Sequence, residues 1–127
     1  MDRKITVVLL SLSLLLAACS TQTFNFSGES ENWSADLKVN QTSDDYETQE
    51  LVLKYKGDDV NTIGPIAYKV ESVGAFGRSG VTLKENSTIT DSNTANPTNA
   101  KVSEHTEVEV VVEWNDNTEI FKLSKSK

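Results

Sequence analysis

One histidine, one cysteine and 19 acidic side chains are the groups in this 127-residue chain with most chemistry to offer. A Ser–His or Cys–His hydrolase needs a base held beside its nucleophile. His105 is the sole histidine, in Ser103-Glu104-His105-Thr106-Glu107 at the start of an alternating segment, and no G-x-S-x-G elbow occurs. It reads as an exposed residue at a strand edge. Zinc would lack ligands. Asp44-Asp45 and Asp58-Asp59 are adjacent pairs in turn-like sequence, without the spaced carboxylates and later Glu of a calcium loop. Gly74-Ala75-Phe76-Gly77-Arg78-Ser79-Gly80 lacks both a phosphate-loop lysine and a following helix pattern. The expectation is a chain with no catalytic residue, no metal site and no cofactor.

Cys19 is different. Residues 1–19 read MDRKITVVLLSLSLLLAAC, with a short basic start, an apolar run from Ile5 to Leu16 and two small residues before the cysteine. Twelve residues make a helix of about 18 Å, too short for a hydrocarbon core of about 30 Å. The segment therefore predicts an export signal. Leu16-Ala17-Ala18-Cys19 resembles the bacterial lipobox, which implies diacylglyceryl transfer to the Cys19 thiol and cleavage just before it. Two acyl chains bind a membrane stably where one binds marginally. The implied layout is a cleaved signal over 1–18, a lipidated cysteine and tether over 19–23, and one domain over 24–127. The membrane is then a partner through the lipid, on the extracytoplasmic face. A single cysteine also excludes an internal disulfide. Removing Arg3, Lys4 and Asp2 with the signal leaves 10 basic and 18 acidic residues, a net of −8. Such a surface is repelled by anionic lipid and excludes a nucleic-acid partner.

The elements that would position any site read as strands. Past residue 24 no window keeps apolar residues at helical spacing over three turns; period two recurs instead. The alternating sets are Phe24/Phe26, Trp33/Ala35/Leu37/Val39, Leu51/Leu53/Tyr55, Ile66/Tyr68/Val70, Val81/Leu83, Val108/Val110/Val112/Trp114 and Phe121/Leu123. Seven half-solvated strands predict an all-β domain, a two-sheet antiparallel sandwich of immunoglobulin-like type, with an open barrel as the alternative. Asn115-Asp116-Asn117 gives the clearest hairpin. Segment 86–103 is rich in Ser, Thr and Asn, and reads as a solvated crossover loop or a recognition loop.

Phe26-Ser27-Gly28-Glu29-Ser30-Glu31-Asn32-Trp33 resembles the opening of small surface lipoproteins of low-GC Gram-positive bacteria, in which a Gly-Glu-Ser-x-Asn-Trp stretch follows the lipidated cysteine. Val111-Val112-Glu113-Trp114-Asn115, with Glu119 and Leu123, is similar to their closing hairpin. The resemblance implies a small extracytoplasmic β-domain and brings no activity. Trp33 begins an inward alternation and reads as core, with Glu29 and Asn32 bonding backbone at a corner. The alternative is a glycan platform, with Trp33 stacking a sugar and Glu29, Glu31 and Asn32 bonding its hydroxyls. Phe76 and Arg78, between glycines, are the other binding candidates, because aromatics and arginine are enriched at interface hot spots. Arg78 is also the only arginine past the signal. The functional expectation is a membrane-anchored, non-catalytic interaction module whose partner is an envelope protein or wall glycan. An accessory subunit of an envelope complex, or a glycan-binding or hydrolytic domain, is the alternative.

Overall fold

The computed structural model describes residues 22–42, 46–95 and 102–126; Cys19 and the signal segment lie outside them. Eight strands form: β1 (Gln22–Glu29), β2 (Trp33–Gln41), β3 (Glu47–Tyr55), β4 (Ile66–Glu71), β5 (Ala75–Val81), β6 (Thr88–Ala95), β7 (Val108–Trp114) and β8 (Asn117–Lys125). Every neighbouring pair is antiparallel, in the order β5-β4-β7-β8-β1-β2-β3-β6. The described residues hold no α-helix, only a single 3₁₀ turn at Val60–Thr62.

All eight strands belong to one sheet, where alternation suggested seven strands in two. Two four-stranded halves meet at β1 and β8, paired at Phe26–Lys125 and Ser27–Ser124. The sheet curls until its terminal strands approach one another, which brings it nearer a barrel than an immunoglobulin-like sandwich. Gly28 permits the junction, because a Cβ there would stand 2.2 Å from the Lys122 carbonyl oxygen. The inward residues of both halves share one core, including Trp33, Leu37, Leu53, Val70, Val110 and Phe121.

The strand assignment differs at two places, by one added strand and one shifted strand, for one reason. Segment 86–103 contains β6, and the expected Val81/Leu83 strand is the end of β5, with Leu83 in the following link. Both strands lie at the ends of the sheet, where few apolar side chains are needed. β6 is held by backbone pairing to β3 from Lys54–Thr88 to Glu47–Ala95, with Ile89 its large buried apolar side chain. β5 carries a bulge, two residues facing Ala67 of β4, with Gly80 at φ 67°. The β7–β8 hairpin matches its expectation. Asn115 and Asp116 have φ of 46° and 63°, and Trp114 pairs with Asn117, as a two-residue type I′ turn requires.

Antiparallel pairing throughout means that odd strands run one way and even strands the other. One end of the curled sheet therefore holds the start of β1, the β2–β3 and β4–β5 links, the β6–β7 link and the end of β8. The opposite end holds the β1–β2, β3–β4, β5–β6 and β7–β8 links.

Candidate functional site

The five binding candidates fall into two groups. Glu29, Asn32 and Trp33 gather at the β1–β2 link. The Trp33 ring is at 0 % exposure, 5.3 Å from the Tyr55 ring and 5.4 Å edge-on to Trp114. It offers no face to a sugar, so the stacking geometry considered above is absent. Its Nε1 is buried without a hydrogen-bond partner among the described residues.

Asn32 acts on the fold. Its backbone N–H donates to Glu119 Oε1 at 3.0 Å and its side-chain amide to Oε2 at 2.6 Å, while Ser30 Oγ donates to Oε1 at 2.5 Å. The hairpin β1–β2 is thus clamped to β8. Lys56 donates to the Ser30 carbonyl at 2.9 Å and pairs with Glu29 at 3.3 Å. Burial works to raise the Glu119 carboxyl, but the bonds from Ser30 and Asn32, with the nearby Lys56 charge, hold it below the usual glutamate range. The Glu-Ser-x-Asn-Trp stretch is in this geometry a corner, with Ser30 and Asn32 bonded to Glu119 and Glu29 paired with Lys56.

Phe76 and Arg78 lie on β5, two residues apart and on one face. Phe76 is half-buried against the core. Arg78, with its side chain 62 % exposed, reaches across to β6 and pairs with Asp91 at 3.6 Å, where the Asp91 side chain is only 7 % exposed. Tyr68 of β4 donates its hydroxyl to the other Asp91 oxygen at 2.5 Å. Burial first, and then the bond to Asp91 and its charge, push the Tyr68 hydroxyl well above the ordinary tyrosine range, against a smaller opposing effect of Arg78. Side chains thus bridge the two terminal strands, and no strand among the described residues pairs with the outer edge of either.

A groove of about 430 Å³ lies along the outer face of β3 and β6 and reaches the seam at Arg78 and Asp91. Glu50 and Val52 of β3, Arg78 of β5, and Thr90, Asp91 and Ser92 of β6 line it. Arg78 has five N–H donors, of which Asp91 engages few. Hydroxyls, the carboxylates of Glu50 and Asp91 and the unpaired backbone groups of a strand edge complete a surface suited to an extended polar chain.

Tyr68 and Asp91 were not candidates in the sequence. Asp91 stands two residues after Ile89, so a strand reading of 88–95 would have put it on the inner face, opposite a tyrosine needing a hydroxyl partner. A second inward carboxylate, Glu47, is also buried; Gln41 at 2.9 Å, Gln49 at 3.2 Å and the Val102 N–H at 3.1 Å donate to it, which fastens the segment before β7 over that end. His105 stands exposed beside Glu104, at 3.3 Å.

No family model matches the chain, and no curated protein or solved structure matches it.

Proposed function

We propose that the chain is a lipid-anchored, non-catalytic interaction module of the cell envelope, held outside the membrane through Cys19, which receives an extended segment of an envelope protein along the seam between β5 and β6. One observation carries the binding part: the edges of β5 and β6 have no backbone pairing with each other, only side chains bridge them, and a groove on β3 and β6 opens beside them. Exposed edges are the usual acceptors of an added strand, with backbone bonds giving affinity and neighbouring side chains giving selectivity. Arg78 would read an acidic or carbonyl-rich partner. The anchor rests on the Leu16–Cys19 motif and on the resemblance to small Gram-positive surface lipoproteins. Trp33 and Asn32 hold the scaffold, and Phe76 supports the strand that carries Arg78.

Site-specific photocrosslinking in the native membrane tests the reading. A benzoylphenylalanine at Ser92, on the groove, is expected to give a discrete adduct that the same probe at Lys38, on the exposed face of β2, does not. Equal labelling from both positions, or none from Ser92, overturns the seam as the binding site. Cys19→Ala is expected to move the protein out of the membrane fraction or leave its signal uncleaved. A processed and still membrane-bound variant overturns the anchor.

A further inference from the structure

The end of the barrel where β1 begins has its own surface chemistry. Gln22 opens β1 there, and Cys19 is three residues earlier in the sequence. Three residues of extended chain reach roughly 11 Å at most. The headgroup layer on each side of a bilayer is itself about 5–8 Å thick. A lipid on Cys19 therefore holds this end against the headgroups and leaves it no room to stand clear.

Four large hydrophobic side chains are exposed among the described residues: Tyr46, Val52, Val73 and Ile120. Val52 and Ile120 lie on the outer faces of β3 and β8. Tyr46, at 50 % exposure, and Val73, at 48 %, sit instead in the β2–β3 and β4–β5 links, both at the Gln22 end. Two nearby carboxylates are partnered, Glu71 with Lys69 at 2.7 Å and Glu104 with Lys125 at 2.6 Å, while Glu107 stands exposed at the same end. Asp44 and Asp45 adjoin Tyr46 in the sequence, so any attraction of this end to a membrane is apolar and not electrostatic.

We infer that this end rests on the bilayer, with Tyr46 and Val73 entering the lipid interface as two contact points beside the anchor. Tyrosine suits that position, since its ring is apolar and its hydroxyl stays hydrated. The inference rests on the reading of Cys19 as lipid-modified. It fixes an orientation: the links at 30–32, 56–65, 82–87 and 115–116 point away from the membrane, and the seam opens sideways.

The lipidated protein, extracted from membranes with Val73→Cys as its only free thiol, is labelled with nitrobenzoxadiazole and reconstituted into phosphatidylcholine vesicles. The expected result is a blue shift and quenching by lipids spin-labelled near the headgroup. The same label at Asp116→Cys, on the β7–β8 turn, is expected to show neither. If the protein floats with the vesicles and the two labels behave alike, the contact is overturned while the anchor stands. A Val73→Cys label that shifts equally in detergent as protein concentration rises assigns this face to a second copy and overturns the membrane contact. A protein that does not float overturns the anchor, and the inference falls with it.

Discussion

The β7–β8 hairpin and the β5–β6 seam use the same period-two backbone to opposite ends. In the hairpin, Val108, Val110, Val112 and Trp114 point inward beside Phe121 and Leu123, and a type I′ turn fixes the register. At the seam, the inward positions include Arg78 on one strand and Asp91 on the other, and these form an ion pair where a backbone ladder would otherwise run. A wall built from apolar side chains is closed. An edge closed by two or three polar groups opens at small cost, which is what a surface that accepts a partner strand needs.

The contrast predicts unequal costs. Trp33 is packed against Trp114 at the closed side, and Trp33→Ala is expected to cost about 3–5 kcal/mol in a denaturant melt, through lost burial and the cavity left behind. Trp33→Phe should lose much less, because it also removes the unpartnered indole N–H. Val110→Ala follows, at roughly 1–3 kcal/mol, with Glu109→Ala near neutral. Equal effects at 109 and 110 would contradict the inward assignment of the valines.

What the sequence made legible follows the same division. Period two places the inward side chains of β2, β4, β7 and β8 because these strands are apolar on one face, and Asn115-Asp116 gives their clearest turn. β6 was illegible as a strand because its inner-face register carries one large apolar residue, Ile89, and its remaining signal is β-branched Thr88, Thr90 and Thr94 in alternation. β3 extends back to Glu47 for a similar reason: Glu47 and Gln49 are inward and buried, which polarity alone argues against. Of the candidate site, Phe76 and Arg78 were visible as unusual residues between glycines. Their partners were not, since Asp91 is 13 residues beyond Arg78 and meets it only when the sheet curls. The reading of 86–103 as a loop also changes, and 74–80 proves to be a strand edge. Both hold strands, and the link at Ser72–Gly74 and residues 102–107 lie at the Gln22 end.

Glu119 sharpens the comparison through pH. Its carboxyl is held below the ordinary value in the folded state, so its stabilisation is complete above the unfolded glutamate value of about 4.3 and is lost as pH falls through the folded value. Glu119→Gln exchanges charged hydrogen bonds for neutral ones and is expected to cost about 1 kcal/mol near neutrality. The cost should shrink toward zero in acid, where the parent carboxyl is itself neutral. A cost that stays constant from pH 7 to pH 3 would mean that the corner is held by shape and not by the Glu119 charge.

The seam should respond least, and there Phe76 and Arg78 should part company. Phe76→Ala is expected to lower the melting temperature, since its ring packs on the core. Tyr68→Phe leaves Asp91 short of one buried donor, at about 1 kcal/mol. Arg78→Ala removes only an ion pair made by a mostly exposed guanidinium, for which about 0.5 kcal/mol or less is expected, falling further with added salt. Partner binding is expected to reverse that order: Arg78→Ala should weaken the crosslink from the Ser92 position while the melt barely moves. If Arg78→Ala instead destabilises the protein as much as Val110→Ala does, the Arg78–Asp91 contact is a weld that closes the barrel. The seam would then belong with the β7–β8 wall, and the groove beside it would have no claim to a partner strand.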